Sequence, residues 1–450
     1  MVQIQVDFQQ ALGKVKPMHA VNNGPVYKFA ADQRITNIDA FREAGIPYAR
    51  NHDASFCATY GGSHTVDVHN IFPDFEKDPY DPASYDFPIT DEYVRVTEFA
   101  GVKTFYRLGS KIEHEIKKYG TLPPKDFHKW AVICEHIIRH YTEGWADGFH
   151  YDMPYWEIWN EPDLDPDDAT HKRTWGGTKA QFFEMYDIAA THLKKCFPHL
   201  KIGGPALAGK LGWAEEFLAQ LKAPLDFFSW HVYKNDPKKV TERAEAVRAL
   251  LDRYGFEKTE SILNEWNYIR GWLGDDWYYS LKMEKGLKGA AFIAGTMCEC
   301  QNGTVDMLMY YDARPCGMNG MFNTDFVCEK LKGYYPFYMF NVLYQLGTSV
   351  RVTSDSDHCY ACAAVGADEA AVMVTHFNDD DTAGEETFSI DLSGFCVENG
   401  IEAECFVLDE DHDLTLVETV CLSKNKRTLK LPAPNFTSYL IKLKKKTSLC

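Results

Sequence analysis

The sequence lacks long apolar runs and has no excess of basic residues. No stretch of roughly 18 uncharged apolar residues occurs, so none is long enough for a transmembrane helix. Lys and Arg number 47 against 65 Asp and Glu, which gives a formal net charge of −18. A surface of that average sign repels phosphate backbones and anionic lipid. We therefore expect no nucleic-acid partner and no membrane partner.

The cysteines lack the spacing of a disulfide framework or of a zinc site. There are 13 of them, an odd number, and many lie inside apolar runs such as Ile133-Cys134. Cysteines in that setting are typical of packed, reduced thiols. The segment from Met1 to Phe8 alternates like a strand and lacks the basic and apolar regions of a signal peptide. We expect a cytoplasmic protein that uses no metal and no cofactor.

The composition and the hydrophobic pattern indicate a large α/β core. Hydrophobic residues make up 45% of the 450 residues and charged residues 25%, as in ordinary globular proteins. Short apolar runs alternate about eight times with longer segments of helical period, beginning at Lys16–Asn22 and ending at Tyr334–Leu346. This alternation predicts a closed (β/α)8 barrel, the TIM-barrel fold.

The pattern changes after about residue 347. Short alternating runs follow, such as Ala370–Phe377 and Ser438–Leu443, with Asp- and Gly-rich turns between them. They predict a small antiparallel β-sandwich, which the strand-like amino terminus is expected to join. We therefore predict a catalytic barrel over residues 13–346 and an accessory domain formed by residues 1–12 and 347–450.

Polar residues gather where the predicted barrel strands end, which is where the active sites of such barrels lie. Strand two ends in Arg50–Asp53, strand six in His231–Tyr233 and strand eight in Tyr310–Arg314. Strands four and seven end in Asn160-Glu161 and Asn264-Glu265, and these strands lie across the barrel mouth from one another. Two carboxylates facing one cleft are what glycosidic cleavage requires, one as acid and one beside the anomeric carbon.

The two glutamate motifs carry a family resemblance. Trp156–Asp163 resembles the Asn-Glu-Pro acid/base signature of the large retaining (β/α)8 glycosidase clan, and Ile262–Asn267 resembles its strand-seven nucleophile motif. Within that clan the sequence is similar to glycoside hydrolase family 39, the β-xylosidase and α-L-iduronidase family, over roughly residues 15–345. The resemblance implies a retaining hydrolase with Glu161 as general acid/base and Glu265 as nucleophile.

The same resemblance implies roles for the neighbouring residues. Asn160 is expected to hydrogen-bond the sugar 2-hydroxyl, while Tyr233 or His231 orients the glutamates. Trp266 is expected to form a wall of the sugar subsite, with core packing as the alternative. The other candidates for substrate binding are Arg50, His52, Tyr311, Asp312 and Arg314.

The sequence departs from the family in strand eight, which lacks the tryptophan expected there. The sugar pocket is therefore not a copy of the xylosidase pocket, and recognition of a uronic acid would need basic groups, for which Arg314 and Lys234 are candidates. The long segments Phe72–Pro88 and Gly271–Tyr279 follow active-end strands and are expected to close one side of the cleft. This favours removal of a terminal sugar, β-xyloside-like or related, from an oligosaccharide or glycoconjugate, with cleavage inside a chain as the alternative.

Two other functions remain open from the sequence. One is a catalytically silent carbohydrate-binding barrel, although both glutamates of an active enzyme are present. The other is a metal-dependent barrel hydrolase, which would use His52, Asp53, His231 and Asp312 but lacks a close His-x-His pair. A homo-oligomer is compatible with the sequence.

Overall fold

The chain folds into a closed barrel and a second, larger sheet. The computed structural model describes residues 1–30, 33–57, 61–324, 329–392, 395, 400–423 and 427–445. Eight parallel strands close the barrel, and nine strands form the second sheet. The prediction of a (β/α)8 barrel with an added β domain is confirmed.

The first third of the chain forms four of the barrel strands and two small hairpins. Its elements are β1 (Val2–Lys14), β2 (Ala20–Asn22), β3 (Tyr27–Ala30), β4 (Gln33–Thr36), α1 (Ile38–Glu43), β5 (Tyr48–Arg50), β6 (Ser55–Cys57), β7 (Gly61–His64), α2 (Val68–Ile71), α3 (Pro88–Phe99), β8 (Lys103–Leu108), α4 (Phe127–Glu143) and β9 (Tyr155–Ile158).

The middle of the chain completes the barrel, and the last hundred residues form most of the second sheet. The elements of the middle part are α5 (Lys179–Cys196), β10 (Lys201–Leu207), α6 (Leu211–Gln220), β11 (Phe227–Lys234), α7 (Pro237–Arg253), β12 (Glu260–Tyr268), α8 (Gly274–Glu284), α9 (Leu287–Asn302), β13 (Met307–Tyr310) and α10 (Tyr335–Leu346). The remaining strands are β14 (Thr348–Ser354), β15 (Cys359–Val365), β16 (Glu369–His376), β17 (Glu386–Asp391), β18 (Ile401–Leu408), β19 (Asp413–Leu422), β20 (Thr428–Ala433) and β21 (Ser438–Lys445).

The barrel strands are adjacent in chain order, from β2 through β5, β8, β9, β10, β11 and β12 to β13, which pairs again with β2. Local signals explain where the helices between them begin and end. The Thr178 side chain accepts from the Gln181 amide and Gln181 reaches back, so a capping box opens α5. Asp126 caps α4, which ends at Gly144 with φ of 75°, a left-handed conformation that suits glycine.

The barrel interior changes from apolar to polar along its axis. Near the amino-terminal ends of the strands, Phe105, Tyr155 and Phe227 pack against one another with ring centroids 5.2 to 5.6 Å apart. Because side chains alternate along a strand, the next inward position of β9 after Tyr155 is Glu157, which is fully buried. The apolar layer therefore forms a floor, and the polar groups above it face the carboxyl-terminal mouth.

The second sheet includes the amino-terminal strand. Its order is β19-β18-β21-β16-β15-β14-β1-β17-β20, and it encloses an apolar core of its own that contains Ile4, Val372 and Ile441. β1 pairs antiparallel with β14 and parallel with β17, so the expected participation of the amino terminus is confirmed. β1 continues to Lys14, opposite Thr348. The division of the chain into domains at residues 12 and 346 stays a proposal.

A loop of this second sheet contacts the barrel mouth, and we call it the docking loop (residues 377–381). Asp379 accepts hydrogen bonds from Tyr268 Oη and Asn235 Nδ2, each at 2.6 Å. The ammonium of Lys288, which is 3% exposed, lies 2.8 Å from Asp379 Oδ1 and 2.9 Å from Asp381 Oδ1. The docking loop is therefore bound to the chain segments that leave β11 and β12.

One segment differs from the sequence expectation. The tryptophan-rich stretch 271–279 was expected to be a loop, but α8 begins within it at Gly274. Asp275 and Asp276 occupy the first turn of α8, where negative charge favours a helix.

Within the described ranges, no helix is both long and apolar enough to cross a bilayer. The cytoplasmic location stays a prediction.

Candidate active site

A cleft with a volume of about 770 Å³ opens at the carboxyl-terminal ends of the barrel strands. Both predicted catalytic glutamates line it, 8% and 5% exposed for Glu161 and Glu265. Five other residues that the sequence analysis named also line the cleft, namely His52, His231, Tyr233, Lys234 and Tyr311. The structure thus brings together residues that are more than 200 positions apart in the sequence, such as His52 and Glu265.

A bulge in β12 explains how Asn264 and Glu265 both face the interior. Trp230 and His231 are consecutive in β11, but they pair with Leu263 and Glu265 of β12, so Asn264 is an extra residue. An inserted residue of this kind turns the side chains that follow it by half a period. Asn264 Nδ2 consequently donates to Glu157 in the interior, and Glu265 points into the cleft.

A buried arginine joins three strands beneath the cleft. The guanidinium of Arg50 is fully buried and donates to Glu157 Oε2 at 2.6 Å and to Glu265 Oε1 at 2.8 Å. It also donates to Asn160 Oδ1 at 2.6 Å. A buried cation requires such counter-charges, and the planar guanidinium fixes their relative positions. Arg50 therefore acts through Glu265 and Asn160 and does not itself face the cleft.

Glu265 is held from several sides. Tyr233 Oη donates to its Oε2 at 2.9 Å, and His231 Nδ1 lies 3.4 Å from the same oxygen. His52 Nε2 lies 3.8 Å from Oε1. Burial raises the pKa of Glu265, and the Arg50 guanidinium opposes that rise electrostatically. The guanidinium and the phenol both stabilise the ionised carboxylate, as a nucleophile needs.

Glu161 lies opposite, on a strained piece of backbone. Its φ is 48° and that of Trp159 is 76°, both in the left-handed region that side chains rarely adopt. The Thr174 hydroxyl donates to the Glu161 carbonyl at 2.6 Å, and the Glu161 amide donates to the Ala206 carbonyl at 2.8 Å. These bonds hold a conformation that directs the carboxyl group into the cleft.

The protonation of Glu161 differs from that of an ordinary glutamate. Burial raises the pKa of Glu161 to about 7, although Arg50 and Arg173 oppose the rise. Its nearest partner is His231 Nδ1, 2.8 Å from Oε1. Burial also lowers the pKa of His231 to about 4, so this ring is neutral near pH 7 and adds no stabilising charge. Glu161 can therefore hold a proton near neutral pH.

The two carboxyl groups are close together. One oxygen of Glu161, one of Glu265 and one ring nitrogen of His231 all lie within 4.8 Å of one another. This is below the separation of about 6.5 to 9.5 Å that leaves room for a water molecule between the carboxyl groups of an inverting glycosidase.

The predicted residues of strand eight form a neighbouring charged network. Tyr311 Oη donates to Asp53 Oδ2 at 2.5 Å, and Arg314 lies 3.2 Å from Asp312 and 3.6 Å from Asp53. Asn23 donates to Asp312 Oδ1 at 2.9 Å. Arg314 and Asp53 line a separate cavity of about 240 Å³ beside the cleft, while Asp312 is fully buried. Arg314 is thus neutralised by two acids rather than available to a uronic acid.

The position of Trp266 does not support its expected role as a sugar-facing wall. Its ring is fully buried and packs on Tyr310 and Phe292, with centroids 5.4 and 6.2 Å away, outside the cleft. The β12 bulge turns Glu265 inward, so Trp266 faces the surrounding helices. The aromatic lining comes instead from Trp272 and Trp277, whose rings stack 5.5 Å apart. The tryptophan-rich stretch 271–279 was the sequence signal for them.

Two arginines of the cleft were missed from the sequence. Arg173 follows Glu161 at a distance of twelve residues, and Arg243 lies in α7; both line the cleft beside the predicted Lys234. Neither belongs to a strand end, so the barrel rule did not find them. The other long segment, residues 72–88, contributes no side chain to the cleft among the residues described.

Comparison of the sequence with known proteins gives one family-model match and curated relatives. The family model for Glycosyl hydrolases family 39 matches residues 54–269. A beta-xylosidase from Geobacillus stearothermophilus is 28% identical over 175 residues, which cover 33% of this chain and 33% of the relative. The sequence match therefore spans about a third of that relative's length.

Solved structures match over nearly the whole chain. A glucosidase from Croceicoccus marinus has a TM-score of 0.76 at 22% identity, covering 99% of both chains. A monomeric beta-xylosidase from Caulobacter crescentus has a TM-score of 0.70 at 18% identity, covering 98% of this chain and 99% of that one. At these identities the likeness shows that the barrel and the second sheet share one architecture with those proteins.

Proposed function

We propose that this chain is a retaining glycoside hydrolase of family 39, whose family model matches residues 54–269, and that it releases a terminal sugar, β-xyloside-like or related. The observation that carries the proposal is the pair of carboxyl groups in the cleft. Their oxygens approach within 4.8 Å, and their surroundings differ, since a guanidinium and a phenol bind Glu265 while a neutral imidazole contacts Glu161.

In the first step, ionised Glu265 attacks the anomeric carbon while protonated Glu161 donates its proton to the leaving oxygen. The glycosidic bond breaks, and a covalent glycosyl-enzyme forms at Glu265. Arg50 and Tyr233 position the attacking carboxylate. The raised pKa of Glu161, which burial causes, keeps its proton available near pH 7.

In the second step, Glu161 acts as base toward a water molecule that attacks the anomeric carbon. The bond to Glu265 breaks, the sugar leaves with its original configuration, and Glu161 regains a proton. Asn160 is suited to bind the 2-hydroxyl, because its Nδ2 is buried and has no hydrogen-bond partner in the described part of the chain. Its Oδ1 is already fixed by Arg50.

Removal of a terminal sugar is supported by the size and walls of the cleft. Its volume of about 770 Å³ is that of a small-molecule pocket and not of a long groove. The stacked Trp272 and Trp277 border one side, and Tyr233 contacts Trp272 with ring centroids 5.0 Å apart. Aromatic faces of this kind pack against the apolar face of a sugar ring.

Metal-dependent hydrolysis is the competing mechanism, because Glu161, His231 and Glu265 have the spacing of metal ligands. Arg50 Nη1 lies 2.8 Å from Glu265 Oε1. The positively charged guanidinium is therefore already paired with this carboxylate, and it would repel a metal ion bound there. A chelator during the assay separates the two mechanisms, since carboxylate catalysis is insensitive to it.

The proposal is tested by following the hydrolysis of 4-nitrophenyl β-xyloside, and of the matching glucoside, galactoside and arabinoside, by proton NMR. A retaining enzyme releases the β-anomer of the cleaved β-glycoside first, and the α-anomer appears later by mutarotation. Release of the α-anomer first would show inversion and overturn the double displacement. Absence of hydrolysis on all four substrates would overturn the proposed substrate class.

The pH profile of kcat/KM is expected to reflect the ionisation of both glutamates, one on each limb. Glu161 must be protonated, so kcat/KM falls as the pH rises through about 7, the value to which burial raises its pKa. Glu265 must be ionised, so kcat/KM also falls at acid pH, and this limb lies above the ordinary glutamate range because burial raises its pKa. The Glu161→Ala variant is expected to lose the alkaline limb. If the alkaline limb persisted unchanged in this variant, the fall of kcat/KM at alkaline pH would have to come from a group other than Glu161.

Tyr233→Phe is expected to lower kcat/KM about 10- to 100-fold, the range for loss of a hydrogen bond to a charged group. The variant removes the phenol that donates to Glu265 Oε2 at 2.9 Å. It should also move the acid limb of the pH profile to higher pH, because the ionised carboxylate is stabilised less. Tyr278→Phe is the matched control, since Tyr278 is 70% exposed. If Tyr233→Phe and Tyr278→Phe had the same kcat/KM and the same pH profile, a positioning role for Tyr233 would be contradicted.

A further inference from the structure

The cleft carries positive charge beside its two glutamates. Arg173, Lys234 and Arg243 line it, although the whole protein has a formal net charge of −18. Glu161 and Glu265 are the only acidic side chains among the described residues that border the cleft. A concave surface with cations and few acids concentrates a positive potential in an otherwise negative protein.

Two of these cations have no acidic partner. Arg173 forms an ion pair with Asp165, 2.7 Å between Nη2 and Oδ1. Arg243, by contrast, donates only to the Gly209 carbonyl at 3.3 Å. Neither Arg243 nor Lys234 forms an ion pair with any carboxylate in the ranges that the structure covers. Partly buried cations without counter-charge are arranged to receive an anion from outside the protein.

The position of these cations indicates which part of a substrate they face. Arg173 and Glu161 both follow β9, Lys234 is the last residue of β11, and Arg243 lies in α7, which follows β11. Arg173 is close enough to Glu161 to influence its ionisation, and Arg243 contacts the backbone at Gly209, just after β10. Glu161 faces the leaving oxygen in the proposed reaction, so the cations border the leaving-group side of the cleft.

We propose that the leaving group carries a carboxylate, as a uronic acid does, and that Lys234 and Arg243 bind it. This inference rests on the proposed glycosidase function and specifies its substrate class. The sugar that is cleaved off need not be acidic, because the cations nearer to it are already neutralised: Arg50 by Glu157 and Glu265, and Arg314 by Asp312 and Asp53.

The chemistry of the two side chains fits a carboxylate next to a sugar ring. The planar guanidinium of Arg243 offers paired donors for carboxylate oxygens, and the Lys234 ammonium adds a compact charge. Trp272 and Trp277 line the same cleft and offer ring faces for the apolar side of an acidic sugar. Stacking and ion pairing together would favour an acidic sugar over a neutral one of the same size.

The inference is tested with two aryl β-xylosides that differ in one group. One carries a carboxylate at position 3 of the 4-nitrophenyl ring, and the other carries a carboxamide there. The wild type is expected to cleave the carboxylate about tenfold more efficiently in kcat/KM at low salt, and added NaCl should reduce this preference by screening. Lys234→Met and Arg243→Met should each reduce the ratio several-fold, and the double variant should bring it close to one.

A matched control and a binding measurement complete the test. Lys258→Met removes the same charge from the turn before β12, at the opposite end of the barrel, and should keep the wild-type ratio. Calorimetric titration of the sulfur-linked analogues measures the same preference without turnover. Tighter binding of the carboxylate analogue without hydrolysis of either xyloside would refute the glycosidase function and keep the anionic site.

Two outcomes would overturn the inference while the glycosidase function stands. One is hydrolysis of both xylosides by the wild type with equal kcat/KM and equal binding of the two analogues. The other is a carboxylate preference that Lys234→Met, Arg243→Met and Lys258→Met all retain in full. Melting curves establish that each variant is folded before its ratio is compared.

Discussion

Glu265→Ala is expected to lower kcat roughly 10⁴- to 10⁶-fold on every aryl glycoside that the wild type cleaves. The substitution removes the carboxylate proposed to form the covalent intermediate, and Glu161 is the only other acidic side chain that borders the cleft among the described residues. Added azide should restore part of the activity by attacking from the vacated side. On a β-glycoside the product is then the α-glycosyl azide, which NMR identifies.

Loss of Glu265 also leaves Arg50 with one counter-charge fewer, since the guanidinium is bound by Glu157 and Glu265. Breaking a buried pair of this kind costs about 3–5 kcal/mol of folding stability. Glu265→Gln, which preserves the shape, therefore serves as a second variant, and melting temperatures accompany the rates. Glu242→Ala, on the exposed side of α7, is the matched control for substituting a glutamate. If both Glu265 variants kept the wild-type turnover, the paired-carboxylate mechanism would be wrong, and His231 and His52 would be tested next.

Glu161→Ala is expected to have an effect that depends on the leaving group. Substrates with a poor leaving group, such as an unactivated sugar, should lose about 10²- to 10⁴-fold in kcat/KM because nothing protonates the departing oxygen. Nitrophenyl glycosides need less protonation and should lose less in the first step. The glycosyl-enzyme then accumulates, because the base for the second step is also missing.

Azide gives the opposite product in this variant. It attacks the glycosyl-enzyme from the face that Glu161 normally serves, so a β-glycoside yields the β-glycosyl azide. The contrast with the α-azide of Glu265→Ala assigns the two roles independently of the rates. An equal loss of kcat/KM for good and poor leaving groups would show that Glu161 is not the proton donor.

The barrel could be predicted because its strands and helices have different hydrophobic periods. Helix α5 is one example, since a capping box opens it and its buried positions recur at helical spacing. The short strand β9 could be found because both of its faces are buried, so that apolar residues flank Glu157 on both sides just before Asn160. The hairpins β3–β4 and β6–β7 have no such run, and they were not predicted.

The candidate site could be predicted where a residue follows directly from the end of a strand predicted from the sequence. Glu161 and Glu265 met that condition. Trp266 did not, because its direction depends on the bulge at Asn264, and a bulge is set by pairing between strands and not by the local sequence. Arg243 comes from a helix, and its place in the cleft depends on how α7 packs on the barrel. Such tertiary placement has no signal in a single sequence.

The docking loop links the stability of the second sheet to the order of the cleft rim. Asp379 is bonded to Asn235 and Tyr268, which lie next to the segments that carry Tyr233 and Trp272. A sugar bound between those side chains therefore stabilises the second sheet as well, although it does not touch it. By thermodynamic linkage, we expect the barrel and the second sheet to unfold in one transition, whose midpoint rises with a saturating ligand.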